Sequence, residues 1–496
     1  MRISFLVFIG FTFFSCSTVE NQKDQPPNII YILADDLGYG ELGSYGQKKI
    51  KTPNLDRLAA DGMRFTQHYT GAPVCAPSRY MFLTGNHAGH AYIRGNYELG
   101  QFSDEMEGGQ MPIPETTPTL AKMLKKAGYQ TAMIGKWGLG MNETTGSPLL
   151  HGFDYYYGYL DQKQAHNYYP THLWENDKKD PLNNDYFLVH SPISSKANQS
   201  DFDQFKGQEY APDRMLEKAI QFLDTTASDK PYFLYYPSPI PHVSLQVPDS
   251  LVDQYRDVFE EEPYLGNKGY TAHQFPNAAY AAMITHLDSE VGKIWDSVKE
   301  KGQEENTLIL FSSDNGPTFA GGVDPDFFNS AAGLRGLKMD VYEGGIRIPF
   351  IAYWKGKIKA GSISDLISGH WDMFNTFAEL AGQDQSAPDG ISILPELLGE
   401  SQNETHDYIY FEYPEKRGQI ALRIEDWKGV KVEMKTNLDS KWELYNLKTD
   451  RNEVFNVAAE HPEIVNKIDS LHKTAHRHPH IREWEFVDPK FKNNNP

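Results

Sequence analysis

Residues Pro27–Gly40 read PNIIYILADDLGYG, and the first half of that string decides the fold. Asn28–Ala34 is almost unbrokenly apolar, as a strand covered on both faces must be, whereas a half-exposed strand alternates. Working outward, similar runs recur at Gln130–Ile134, Tyr232–Tyr236 (YFLYY) and Thr307–Phe311 (TLILF). Helical stretches lie between them: Asn54–Met63, Thr117–Lys126 with its Thr-Pro start, and Asn277–Val298. Strands alternating with helices over roughly 350 residues predict a layered α/β sheet. After Leu380-Ala381-Gly382 the texture changes to hairpin-spaced segments, Tyr408–Tyr413, Ile420–Ile424, Trp427–Val432 and Trp442–Tyr445, followed by a helix at Pro462–His472. The predicted division is a leader over 1–15, a polar tether over 16–27, an α/β unit over 28–385 and a smaller α+β subdomain over 386–496.

Composition narrows the partners. Against 67 Asp+Glu stand 47 Lys+Arg, a formal charge of −20, which excludes nucleic-acid binding through a general basic surface. An anionic substrate then needs its positive partners concentrated locally. With 40% hydrophobic residues the chain cannot be wholly disordered. The leader MRISFLVFIGFTFFSCS has the length of a signal-peptide apolar region and is too short to span a bilayer. Ser15-Cys16 resembles the lipobox of bacterial lipoproteins, in which the leader is cut before a cysteine that becomes acylated; a plain secretory signal is the alternative. The expectation is an exported protein of a Gram-negative bacterium, periplasmic or anchored to the outer membrane through lipidated Cys16, with no other membrane contact.

Polar residues gather just past the strand ends, where open α/β sheets place ligands. Asp35-Asp36 follows the first strand and Asp314-Asn315-Gly316 follows Thr307–Phe311. Each reads alone as a cap or turn. Adjacent carboxylates repel, however, and two oxygen-rich strand ends together favour one site for a hard divalent cation.

The two cysteines, Cys16 and Cys75, are too unlike in setting to form a sensible pair. Cys75 lies in Ala72–Arg79 (APVCAPSR), followed by Leu83-Thr84-Gly85. This resembles the C-x-P-S-R…L-T-G signature of the type I sulfatases of the alkaline phosphatase superfamily. Thr52–Leu58, Gly135-Lys136-Trp137, Ser313–Gly316, Leu334–Lys338, Glu343–Arg347, Asp389–Ser392 and Glu443–Leu447 are similar to family segments, in family order. The resemblance spans roughly residues 27 to 470 and resembles most the bacterial carbohydrate sulfatases and arylsulfatases.

That resemblance implies an alkaline-phosphatase-like layered α/β core with the smaller C-terminal subdomain. It implies that Cys75 is oxidised by a formylglycine-generating enzyme, and that one hydroxyl of the hydrated aldehyde attacks sulfur before the second expels sulfate. Asp35, Asp36, Asp314 and Asn315, with residue 75, match the metal ligands, for calcium first and magnesium second. Arg79 matches the arginine that holds the formylglycine hydroxyl, Lys136 and Lys338 the sulfate-binding lysines, and His242 the histidine that protonates the leaving oxygen. One position departs: the family's Gly-Lys-Trp-His-Leu-Gly is here Gly135-Lys-Trp-Gly-Leu-Gly140, so Gly138 replaces a histidine that normally assists the nucleophile. His166, His87 and His90 are the candidates to compensate. His90, Arg94 and His166 are candidate sugar contacts; Tyr155–Tyr159 with Tyr168-Tyr169 offer a stacking rim, although aromatic segments of this kind more often pack as core. The expected substrate is a sulfated glycosaminoglycan or algal glycan. The alternatives are an arylsulfatase, a related phosphatase or phosphonate hydrolase, and a noncatalytic sugar-binding lipoprotein.

Overall fold

Asn28–Ala34 forms strand β1 of a computed structural model that describes residues 26–488 except 101, 102, 104, 105, 228 and 438. The leader, Cys16 and nearly all of the tether lie outside the described residues. Every residue of β1 is buried, and its side chains divide by parity, as the pleat requires. Ile30, Ile32 and Ala34 enter one apolar cluster, while Ile29, Tyr31 and Leu33 enter another on the opposite face. That is why the run is continuous. A fully buried isoleucine contributes about 1.5–3 kcal/mol, so either parity losing its cover would be costly.

The other strands of this sheet are β2 (Met63–Tyr69), β3 (Gln130–Lys136), β4 (Tyr155–Tyr159), β5 (His172–Glu175), β6 (Lys178–Pro181), β7 (Tyr232–Pro237), β8 (Thr307–Ser313), β9 (Arg347–Tyr353), β10 (Ser362–Ser364) and β11 (Ser368–Gly369). Their order is β10-β2-β9-β8-β1-β7-β3-β4-β5-β6, with β11 also paired to β2, eleven strands among the described residues. β8, β1, β7, β3 and β4 run parallel, so their carboxyl ends share one edge. β9 is antiparallel to both β8 and β2, which returns β2 to the direction of β1. The predicted strands are present, and the helix expected at Asn277–Val298 runs Pro276–Glu300.

Two expectations change and one open reading is decided. The helix expected from Thr117 begins at Leu120, capped by the Thr119 side chain, which accepts from Lys122 N. Pro118 pushes Thr117 out of the helical region, so the later threonine takes the role. β3 continues past Ile134 to Lys136 through Gly135 at φ +142°, where a Cβ would meet the Pro237 carbonyl oxygen at 2.0 Å. Only glycine lets β3 run that close to β7 and deliver Lys136 to the edge. Of the two readings of the tyrosine segments, core holds: Tyr156, Tyr157 and Tyr159 of β4, and Tyr168 nearby, are fully buried.

The C-terminal sheet is antiparallel, β12 (Ile409–Tyr413), β13 (Gln419–Ile424), β14 (Trp427–Lys431) and β15 (Glu443–Asn446), in that order. Alternation again assigns its faces. Ile409, Phe411 and Tyr413 pack with Tyr69, Val341 and Trp371 of the larger unit, whereas Tyr410, Ile420 and Leu422 pack with Ile468 and Ala475 of helix Pro462–Ala475. A buried ionic cluster fastens the two units. Lys428 Nζ lies 2.9 Å from Glu343 and 2.9 Å from Glu453. Tyr69 Oη donates to the other oxygen of Glu343 at 2.8 Å. Burial alone would raise the Glu343 carboxyl, but Lys428, Arg347 and Arg423 outweigh it and bring it down to about 2.

Lys428→Ala strands two buried carboxylates, and such breaks cost about 3–5 kcal/mol. Chemical denaturation should show a loss of that size; a loss within the roughly 0.5 kcal/mol of an ordinary surface change would remove the cluster from its fastening role.

Candidate active site

The parallel strands bring their carboxyl ends to one place. β1 ends at Asp35-Asp36, β8 at Asp314-Asn315 and β3 at Lys136, and the turn beyond β7 supplies His242. Helix Cys75–Thr84, entered from β2, presents Cys75 at its first turn. Lys338 comes from the loop before β9, whose amino end faces the same edge because it runs antiparallel. Cys75, Lys136, His166, His242 and Lys338 line one pocket.

Asp35 is the hub. Its Oδ1 accepts the Cys75 thiol at 3.1 Å, and its Oδ2 meets Lys136 Nζ at 2.6 Å and Arg79 Nη2 at 3.1 Å. Arg79 forks onto Asp314 Oδ2 through Nε (3.0 Å) and Nη2 (2.9 Å), and donates Nη1 to the Lys136 carbonyl at 2.5 Å. Asp36 is paired with Lys338 at 2.8 Å and accepts Asn315 Nδ2 at 2.8 Å. Its backbone sits at φ +68°, unusual for a non-glycine residue, and its N–H donates to Asp314 Oδ1 at 3.1 Å. His242 donates Nδ1–H to its neighbour's carbonyl at 2.5 Å and places Nε2 3.7 Å from Asp36.

Asp35, Asp36 and Asp314 are each 0% exposed. Burial raises all three, but Lys136, His242 and Arg79 hold Asp35 far below the usual carboxylate range. Burial prevails at Asp36, against Lys338, and with the Asp35 charge it pushes Asp314 up to about 7. Cys75 is likewise pushed up, by burial and then by Asp314 and Asp35. Three buried carboxylates and an amide oxygen converging on one point are the donor set that suits a hard divalent ion. The Asn315 amide supports the same fit: Nδ2 is spent on Asp36 and Gly316, while buried Oδ1 has no hydrogen-bond partner among the described residues.

His166 joins this pocket, its ring stacked on that of His242 at 5.1 Å and 7°. His90 and Arg94 do not. His90 Nδ1 is bound to Asp389 at 2.7 Å, and the same carboxylate lies 3.6 Å from His87 Nε2, so both histidines are spent on Asp389. Arg94 is 2% exposed and ion-paired with Glu412 of β12, which makes it an internal strut.

At Gly138, φ is +76° and a Cβ would stand 2.8 Å from Gln162 Cγ. Gln162 therefore packs into the space a side chain at 138 would use. It was missed from sequence, although it follows the carboxyl end of β4 and obeys the rule that flagged Asp35 and Asp314. Asn96, Glu98 and Glu415 complete a polar wall.

A family model described as Sulfatase matches residues 27–383, most of the chain. The chain belongs to the sulfatase family. A second model, described as N-sulphoglucosamine sulphohydrolase, C-terminal, matches residues 337–478. Human N-acetylgalactosamine-6-sulfatase is 31% identical over 391 residues, covering 75% of this chain and 66% of the relative, so the chain spans about two thirds of that protein's length. The N-acetylgalactosamine-6-O-sulfatase of Bacteroides thetaiotaomicron is 29% identical over 514 aligned positions, covering 91% of this chain and 93% of the relative. A crystal structure of Ps i-CgsB in complex with k-i-k-neocarrahexaose shares the fold at TM-score 0.75 and 26% identity, over 95% of this chain and 97% of that one. This sulfatase thus has the alkaline-phosphatase-like fold of carbohydrate sulfatases, and the family is one of sulfuric ester hydrolases.

Gly138→Ala puts a side chain at positive φ and against Gln162, so it should cost about 1–2 kcal/mol from the backbone alone, plus the displacement. Combined with Gln162→Ala, the displacement part should vanish. Thermal unfolding of the single and double variants reads this directly, and strictly additive losses would show that Gln162 does not occupy the space.

Proposed function

We propose that this sulfatase hydrolyses sulfate esters of carbohydrates, using residue 75 as formylglycine and a divalent cation, calcium before magnesium, held by Asp35, Asp36, Asp314 and Asn315. The observation that carries this reading is Cys75 at the pocket floor, its thiol on Asp35 at 3.1 Å and Lys338 Nζ 3.7 Å from its sulfur. Formylglycine supplies a hydroxyl nucleophile, and the cation supplies positive charge beside it.

The chain's own side chains do the rest. Arg79, Lys136 and Lys338 balance Asp35, Asp36 and Asp314 one for one, and Glu98 of the wall is paired with Lys163, so an added dication outweighs the remaining wall carboxylate, Glu415, and draws in a sulfate monoester despite the global charge of −20. Lys136 and Lys338 face the sulfuryl oxygens and stabilise charge that grows there. Arg79, forked on Asp314, holds residue 75 in line. His242 keeps Nδ1–H on the Val243 carbonyl and, although burial, Lys338 and Lys136 push the ring towards its neutral form, acts when doubly protonated, passing the Nε2 proton to the leaving oxygen and reverting to the neutral Nδ1–H form. The wall of Asn96, Glu98, Gln162 and Glu415 offers hydrogen-bonding groups suited to sugar hydroxyls, and so favours a glycan over an aryl ester. The two N-acetylgalactosamine-6-sulfatase relatives described above point the same way.

A same-superfamily phosphatase or phosphonate hydrolase finds less support. The other His/acid clusters among the described residues, His87–His90–Asp389 and His476–His478–Glu485, share no residue with this pocket. Export, through the leader and Cys16 lipidation, and maturation by a formylglycine-generating enzyme belong to the same proposal, as does a catalytic unit over 28–385. Among the described residues no helix is long and apolar enough to cross a membrane.

A panel of sulfated mono- and oligosaccharides, aryl sulfates and phosphate esters, read by released sulfate or phosphate, tests the reading. Release from sugars should dominate, Cys75→Ala should abolish it, and a chelator should remove it until calcium is restored. Asp314→Ala should lower calcium affinity and turnover together; unchanged calcium binding in calorimetry would overturn the ligand set. Preferential phosphate release would overturn the reaction class.

A further inference from the structure

The hydrogen bonds behind His166 fix where its proton sits. Tyr270 N–H donates to His190 Nδ1 at 3.2 Å. A backbone amide can only donate, so that nitrogen carries no proton and the His190 proton is on Nε2. His190 Nε2 lies 3.2 Å from His166 Nδ1, which must then accept. His166 consequently keeps its own proton on Nε2, and that atom has no protein partner among the described residues.

The arrangement is held from several sides. Tyr270 adopts φ +65°, a region few non-glycine residues enter, and this aims its N–H at His190. Its ring also packs edge-on against His166, with centroids 5.0 Å apart. The carbonyl of His166 accepts Ser244 Oγ at 2.8 Å. On its open face the imidazole stacks on His242 and borders the pocket of Cys75.

We propose that His166 is a specificity-determining hydrogen-bond donor to the sugar, presented as a fixed Nε2–H tautomer, and that His190 is the positioning residue that fixes it. The proposal rests on the sulfated-carbohydrate reading and deepens it. The donor selects a substrate with an oxygen acceptor beside the ester, on the side of His242. Burial, with His242, Lys136, His190 and Lys338 around it, keeps His166 neutral, so it offers one proton and does not compete with the lysines for sulfate. An imidazole absent from position 138 thus faces the substrate from another loop.

Three variants and the wild type test this, using the sugar that the desulfation panel identifies. In histidine-labelled enzyme, nitrogen NMR assigned by comparison with His166→Gln should show His166 protonated on Nε2. His190→Leu, at an exposed position, should lose that fixed tautomer and raise KM about 3- to 10-fold, with a smaller change in kcat. His190→Gln should stay within about 2-fold, because its amide can donate to His166 while its carbonyl accepts Tyr270 N–H. A His166 protonated on Nδ1, an unchanged KM in His190→Leu, or equal loss in the Leu and Gln variants overturns the proposal and leaves the sulfatase reading intact. A wild type inactive on every sulfated sugar overturns that reading and the sugar-donor role with it.

Discussion

Three carboxylates held dry at one sheet edge are the constraint on which the rest of this molecule depends. Asp35, Asp36 and Asp314 are fully buried and mutually repulsive, so each needs a cation whose own burial is satisfied in turn. Arg79 and Lys136 meet that need from deep in the core, at 1% exposure, and Lys338 closes from the rim. None of these side chains can find its partner unless β8, β1, β7 and β3 lie parallel in that order. The ionic geometry and the sheet order therefore specify each other, and the long apolar runs that cover both sheet faces are what make the edge dry.

The small C-terminal sheet is bound into the same logic. The segment from Lys338 to Arg347 has Asp36 at one end and the Glu343–Lys428–Glu453 cluster at the other. Pinning Glu343 from β14 limits how far Lys338 can retreat from Asp36. Tyr413 and Glu415, from β12 and the turn after it, reach the pocket wall directly. Residues 337–383 fall within both matched family models, as expected of a stretch that belongs to both units.

Sequence disclosed what is local or periodic. β1, β7 and β8 were legible because a doubly covered strand must be apolar throughout, and the carboxylates just past β1 and β8 followed from position. β2 and β9 were not foreseen; MRFTQHY mixes polar and apolar residues because one stretch of β2 borders solvent and the next is sealed by the C-terminal unit. His90 and Arg94 were misread for a different reason. They follow the cysteine helix closely in sequence, yet their partners, Asp389 and Glu412, lie about three hundred residues away. Such pairings leave no trace in spacing. Gln162 was hidden by its chemistry, since a neutral amide at a strand end announces neither charge nor metal.

Gly138 and Gln162 show how one bare backbone position shapes a pocket. Without a side chain at 138, the Gly-Lys-Trp turn carries no proton-bearing group there and leaves a space two residues from Lys136. The amide of Gln162 fills that space from the end of β4, the strand registered directly on β3 from Ala132 to Lys136. An amide exchanges no proton at neutral pH, so Gln162 fills the space without supplying acid-base chemistry. Among the described residues lining the pocket, the imidazoles stand together on one wall, where His166 stacks on His242 and is held by His190. Opposite that wall Asp35 is in direct contact with both Lys136 and Arg79, so none of the three can change its charge without stranding a buried partner.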